Sequence, residues 1–235
     1  MAGAMRKPIR NAAVPAACQP EAGVTASEDA GVTVRTRGRL PHWERRGATY
    51  FVTFRVAGTL PAHVLESMQQ EQEAIESVAA REGRTVSAEE RERLNALRHS
   101  RIEEFLDTGT GWRPLAQPEV ADLAVDALRH FDGERYSLHA WAVMPNHVHV
   151  VFTPKRGHSL ADILHAWKSF TAHGTNRLLR RKGRLWAREY YDHVIRGEED
   201  FRRRVAYVLG NPAKAGFAVW RWVGCAIEGV QQSGT

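Results

Sequence analysis

The sequence predicts an α+β domain built on a mostly antiparallel sheet with helices packed against it. Three observations carry this expectation. Residues 136–144 (Tyr-Ser-Leu-His-Ala-Trp-Ala-Val-Met) and 148–153 are dense in β-branched and aromatic residues, and the link between them, opening with Pro145-Asn146, is short enough for an antiparallel hairpin. A third strand-like run, Ala-Thr-Tyr-Phe-Val-Thr-Phe-Arg-Val at 48–56, lies far upstream and ends at Ala57-Gly58. Between and after these runs the apolar residues recur at spacings of three and four, so helices interleave with the strands in one chain.

Each element follows from local chemistry. Residues 1–40 are rich in Ala, Gly, Pro, Thr and Arg without an apolar period and read as a weakly ordered or disordered arm; the globular part, 41–223, starts near Pro41. Pro61 opens a charged, helix-favouring stretch that is interrupted by Glu82-Gly83-Arg84-Thr85. Ser87 and Glu90 then form a capping box for a second helix, so the stretch reads as a helical hairpin. After a loop at 107–112, Val120, Leu123, Ala124, Ala127 and Leu128 mark an amphipathic helix over 118–131.

Another helix is expected at 160–179, with Leu160, Ile163, Leu164, Trp167, Phe170 and Leu178 along one side and a basic cluster, 180–184, at its end. A short extended piece follows at about 190–195. Glu198, Glu199 and Asp200 suit the first turn of a last helix, where carboxylates complement the exposed amides. That helix is expected to run to about Gly210 and not far beyond Pro212, with a tail at 224–235.

Composition narrows the partners. The chain has 235 residues, 33 Lys+Arg against 27 Asp+Glu, a net charge of +6 and 2 cysteines. So few cysteines exclude a disulfide framework or a Cys-based zinc site as the organising principle and fit a reduced, cytoplasmic setting. No run approaches the length of a membrane helix, and no signal peptide is evident. The entire positive excess lies within residues 155–204, which fits a polyanionic partner such as nucleic acid as well as a merely solvated helix surface.

Two groups of residues carry chemistry. His147 and His149 alternate with Val148 on a strand, so the imidazoles share one face and are able to converge on one divalent cation, or simply to serve as polar surface. Tyr207 and Asn211 lie four apart on the last helix, with Arg203 and Arg204 one turn before the tyrosine. A phenol attacks phosphorus only with help from a base, cation or metal; the alternative is a tyrosine that packs helix on sheet. Tyr190 and Tyr191 are rival nucleophiles in a segment read as extended, where a structural or DNA-stacking role suits them better, and His193 reads as a satisfied core or loop histidine or as a contact to phosphate. Lys168, Arg177, Arg180, Arg181, Lys182, Arg184 and Arg188, interleaved with Trp167, Phe170 and Trp186, have the composition of a single-strand groove, although Trp167 and Phe170 at helical spacing suit a core better.

The string Leu-His-Ala-Trp-Ala-Val-Met-Pro-Asn-His-Val-His-Val-Val at 138–151, the segment 186–195, and Tyr-Val-Leu-Gly-Asn-Pro-Ala-Lys-Ala-Gly at 207–216 together resemble the Y1 transposases of the IS200/IS605 type, and more closely the REP-associated tyrosine transposases. The resemblance spans about residues 41–220. It implies an HUH endonuclease on a ferredoxin-like or RRM-like sheet, with His147, His149 and Asn211 holding Mg²⁺ or Mn²⁺ and Tyr207 as nucleophile toward single-stranded hairpin DNA of REP-like repeats. Mn²⁺ suits two imidazoles better than Mg²⁺ does.

By that resemblance the products are a 5′-phosphotyrosine link and a 3′-hydroxyl, and the protein is monomeric or homodimeric and acts in the bacterial cytoplasm, at the nucleoid when DNA-bound. Relative to the family, residues 62–115 look like an enlarged insertion that does not touch the candidate site. A non-catalytic single-stranded nucleic-acid binder on the same sheet is the rival function.

Overall fold

The computed structural model describes residues 32–37, 40–45, 47–107 and 111–225. In chain order its elements are β1 (Val32–Arg37), β2 (Leu40–Arg45), β3 (Tyr50–Val56), α1 (Ala62–Arg81), α2 (Ala88–Asp107), α3 (Pro118–Arg129), β4 (Tyr136–Met144), β5 (His147–Pro154), α4 (Leu160–Leu178), β6 (Trp186–Val194), α5 (Gly197–Lys214) and β7 (Val223–Cys225). Most of the arm expected over 1–40 lies outside the described residues. Its end differs from that expectation: Val-Thr-Val-Arg-Thr-Arg alternates with period two and forms β1, paired antiparallel with β2.

The main sheet has the order β6-β3-β5-β4-β7, with every neighbouring pair antiparallel. Setting aside the α1–α2 hairpin, the chain from β3 to β6 runs strand, helix, strand, strand, helix, strand. This is the split β–α–β arrangement of a ferredoxin-like sheet, as expected. Helices α3 and α4 cover one face, where Tyr50, Val52, Phe54, Val148, Val150 and Phe152 meet Val120, Ala124, Leu128, Leu164 and Trp167. Helix α5 covers the other, packing Phe201, Val205 and Val208 on Phe51, Ala140, Ala142, Met144 and Val151.

Strand β5 is therefore buried on both sides and sends successive residues to opposite layers. Strand β4 keeps step only through an irregularity between Leu138 and Ala140, which lets two even-numbered residues face opposite layers. Polar groups tie the first layer together: the Trp167 indole N–H donates to Tyr136 Oη (2.9 Å), and that hydroxyl donates to the Leu128 carbonyl (2.9 Å). A Cβ on Gly174 would meet Leu123 Cδ2 at 2.4 Å, which explains the glycine inside α4 at its crossing with α3.

Beyond β1, the structure departs from the sequence reading at β6, α4, β7 and α5. The capping box forms as expected, with Glu90 N–H donating to Ser87 Oγ (3.1 Å) and Ser87 N–H donating to Glu90 Oε2 (2.8 Å), but β6 begins at Trp186 and is longer than the short piece read at 190–195. Phe170 and Leu178 are exposed, because the stripe of α4 that faces the sheet runs through Leu160, Ile163, Leu164, Trp167, Thr171 and Gly174. Strand β7 runs from the last residue of the globular part read from sequence into the start of the tail expected at 224–235. Finally, α5 continues through Pro212 to Lys214. In the last turn a proline forfeits only the bond its own N–H would make to Val208, and the helix closes beyond it through Ala215 N–H to the Asn211 carbonyl (3.0 Å).

Phe152 is fully buried, with ring centroids 4.8 Å from Trp167 and 5.9 Å from Tyr136. Phe152→Ala is expected to lower stability by about 3–5 kcal/mol. Denaturant unfolding checks this through a lower midpoint at an unchanged slope.

Candidate active site and metal centre

The site begins at the first residues of β5. His147 and His149 point to the α5 side and are 1% and 0% exposed, while Val148 between them enters the opposite layer. Their Nε2 atoms lie 3.0 Å apart. The tautomer of His147 is fixed by its neighbour: Asn146 Nδ2 donates to the Leu106 carbonyl (3.3 Å), so Asn146 Oδ1 is the atom 2.8 Å from His147 Nδ1, and an amide oxygen only accepts. His147 therefore carries its proton on Nδ1 and presents a lone pair at Nε2. His149 Nδ1 meets Thr53 Oγ1 at 2.8 Å. Because a hydroxyl both donates and accepts, His149 is able to turn either a proton or a lone pair toward His147.

Helix α5 brings the second half. Its Tyr207 ring stands 5.5 Å from the His149 ring and 5.6 Å from Phe51. Asn211 lies one turn further, 1% exposed, with neither amide atom in a hydrogen bond. It stays helical although it precedes Pro212, a placement that proline disfavours. Of the sequence-derived set, the structure thus packs Tyr207 against the histidine pair and leaves Asn211 buried on the same helix.

The α1–α2 hairpin reverses one expectation. Read from sequence it stood apart from the site, yet α2 lies over β5 and supplies three of the site's polar residues. The Tyr207 hydroxyl donates to Glu103 Oε2, which is also 3.5 Å from His149 Nε2. Glu103 Oε1 is 3.3 Å from His99 Nε2, and His99 Nε2 meets Thr53 Oγ1 at 2.9 Å. Asp107, one turn on, pairs with Lys214 Nζ at 2.8 Å. Only the i, i+4 spacing of His99 and Glu103 marks this side of α2 in the sequence. Tyr191 braces His99 with ring centroids 3.9 Å apart, and His193 pairs with Asp200 at 2.8 Å. Tyr190 and Tyr191 sit on β6, while Tyr207 is the tyrosine bonded to Glu103.

Burial dominates the electrostatics. It lowers the pKa of His99, His147 and His149 to about 3, reinforced at His147 by His149 and at His149 by Lys214, so all three are neutral near pH 7. Burial, then the Glu103 charge, pushes the Tyr207 phenol well above its ordinary value; Arg204 opposes this weakly. The hydroxyl is consequently protonated at rest. Neutral imidazoles are the form that binds metals. Adjacent ligands of an octahedral cation with bonds of about 2.1 Å are about 3.0 Å apart, so the Nε2 separation fits one ion. The Asn211 amide and Glu103 Oε1 are likewise buried polar atoms without a hydrogen-bond partner. His99, Glu103 and His149 offer ligand atoms within 4.8 Å of one another.

The basic residues separate by environment. Lys168 Nζ donates to the Ala187 (2.8 Å) and Arg188 (3.2 Å) carbonyls, so its charge is spent on β6; burial, then Arg184 and Arg55, lower its pKa to about 8. Arg181 stacks on Trp112 at 3.7 Å. Arg203 donates to Asp200 (3.0 Å), and Arg204 Nε lies 3.4 Å from the same carboxylate and over Phe51. Arg177, Arg180, Lys182, Arg184 and Arg188 are exposed. Arg184 and Arg188 border a cleft of about 850 Å³ between the α1–α2 hairpin and the β3–β6 edge, which shares Thr53 and His99 with the site. No helix among the described residues is long and apolar enough to cross a membrane.

Residues 124–209 match the family described as "Transposase IS200 like". The REP-associated tyrosine transposase of Escherichia coli (strain K12) is 28% identical over 82 residues, 35% of this chain and 47% of that protein, so the chain spans about half the length of that relative. A solved structure of a REP-associated tyrosine transposase bound to a REP hairpin overlays with a TM-score of 0.45 at 16% identity, covering 80% of this chain and 82% of the other. The resemblance drawn from the motifs is borne out over residues 124–209. The matched stretch contains His147, His149 and Tyr207; Asn211, His99 and Glu103 lie outside it.

The buried neutral imidazoles have a pH consequence. Their folded pKa values lie below the unfolded value of about 6.5, so the unfolded chain takes up protons first, and stability is lost as pH falls from about 6.5 toward 3. At pH 5 this amounts to about 2 kcal/mol for each independent imidazole. Thermal melts in chelator are expected to fall on the order of 10 °C between pH 7 and pH 5; an unchanged Tm would contradict the burial assigned to these groups.

Proposed function

We propose that this chain, whose residues 124–209 carry the IS200-like transposase pattern, is a divalent-cation-dependent endonuclease and strand-transferase of single-stranded DNA. The observation that carries this reading is the convergence, in one buried cluster, of the His147–His149 pair on β5 and the Tyr207 hydroxyl on α5. Hairpin-bearing repeats are the substrate that the REP-associated relatives point to.

His147 and His149, with the Asn211 amide one turn beyond Tyr207, are the residues that would hold Mg²⁺ or Mn²⁺. When bound there, such an ion would supply Lewis acidity toward the phosphate and a positive charge beside the phenol. The chain's own residues do the rest. Phe51 and the His149 ring fix the Tyr207 ring, and Glu103 Oε2 orients its hydroxyl. Tyr207 Oη attacks phosphorus, the Oη–P bond forms, and the P–O3′ bond breaks; the phenolic proton ends on the leaving 3′-oxygen. The result is a 5′-phosphotyrosine and a free 3′-hydroxyl, and reversal by another 3′-hydroxyl joins strands without an external energy source. Arg184, Arg188, Arg203 and Arg204 would follow the phosphates toward this point.

Incubation of the full chain with Mn²⁺ and single-stranded hairpins is expected to leave a denaturant-resistant protein–DNA adduct, absent with Tyr207→Phe and with chelator. An adduct retained by Tyr207→Phe would assign the nucleophile elsewhere. Metal-independent binding with no adduct on any hairpin would support the non-catalytic binder instead. The double substitution of Arg184 and Arg188 to Ala is expected to weaken single-strand binding and reduce its salt slope by roughly 1.4, about 0.7 per lost phosphate contact. A binding titration across salt concentrations reads that slope.

A further inference from the structure

We propose that Glu103, delivered by the α1–α2 hairpin, is a direct ligand of the divalent cation at the His147–His149 pair. The proposal rests on reading those two histidines as the core of a cation site and adds to it a carboxylate from outside the stretch that matches the transposase family.

Three features lead there. Glu103 is 3% exposed, with Oε2 3.5 Å from the same His149 Nε2 that faces His147. Its only hydrogen bond among the described residues comes from the Tyr207 hydroxyl to Oε2, and Oε1 has none. Among the described residues no Lys or Arg is paired with it. Lys214 is bound to Asp107, and Arg203 and Arg204 face Asp200. A carboxylate withdrawn from water without a counter-charge is costly, and buried carboxylates are found paired or ligating metals. Two imidazole nitrogens and this carboxylate form a mixed donor set suited to Mn²⁺ or Mg²⁺, with oxygen added to what two nitrogens alone provide. His99 acts from behind: its Nε2 lies against Glu103 Oε1 and is tied through Thr53 to His149, so it positions the carboxylate.

The test is Mn²⁺ binding to the full chain without DNA, measured by calorimetry and by loss of the free-ion resonance signal, for the native chain, Glu103→Gln and His147→Ala. Glu103→Gln keeps the side chain's shape and removes its charge. It is expected to weaken Mn²⁺ binding at least about 10-fold, as loss of site partners typically does. It is also expected to leave the melting temperature in chelator equal or higher while removing the rise that Mn²⁺ gives the native chain. Mn²⁺ should slow amide exchange in α2 of the native chain but not of Glu103→Gln. If Glu103→Gln binds within twofold of the native chain while His147→Ala loses binding, Glu103 is not a ligand although the histidine site stands. If His147→Ala also binds normally, or the native chain binds no Mn²⁺, the reading of the histidine pair fails and the proposal with it. A loss of affinity equalled by Tyr207→Phe would show that Glu103 acts only by holding the phenol, and would likewise overturn direct ligation.

Discussion

The pairing register of β5 against β3 governs everything at the site. His149 is opposite Thr53 and His147 opposite Arg55, and Val148 and Val150 fill the layer beneath α3 and α4. A shift of one residue would bury both imidazoles in that apolar layer and turn the valines toward α5. The register is held by apolar packing on both faces of the strand rather than by the polar groups, so the histidines are oriented by a core they do not belong to. Thr53 takes its place in the same way, and its hydroxyl then joins His149 to His99 across two elements.

Most of the framework was legible in the sequence because it follows local rules. Runs dense in β-branched and aromatic residues named the strands, the capping box named α2, and the His-Val-His triplet fixed which side chains share a face. The helix carrying Tyr207 was also foreseen, and its extension past Pro212 was missed only because a proline in the last turn costs far less than one in a helix interior.

What the sequence hid depends on packing between distant segments. Glu103 stands beside Glu104 in a helix crowded with charge, and nothing in the order of residues distinguishes the carboxylate that turns inward from the one that does not. The hairpin therefore looked peripheral, whereas the fold lays α2 across the start of β5. The basic block shows the same limit. Composition counted Lys168 and Arg188 alike, but one caps strand carbonyls and the other borders the cleft beside His99. Likewise Trp167 and Phe170, similar in spacing, divide between the core and the surface according to which stripe of α4 meets α3.

The strand order also sets when the site comes into being. Strand β3 completes its pairing only with β5 and β6, whose partners for Thr53 are His149 and Tyr191, so nearly a hundred residues or more must be looped before either contact forms. Such non-local pairing is slow, typically milliseconds to seconds, whereas helices close within about a microsecond. The α1–α2 hairpin is thus able to fold long before the surface it covers exists. The cluster around His149 therefore comes together only with these long-range pairings, and the chemistry of this protein depends on contacts that close last in a chain whose local elements need far shorter loops.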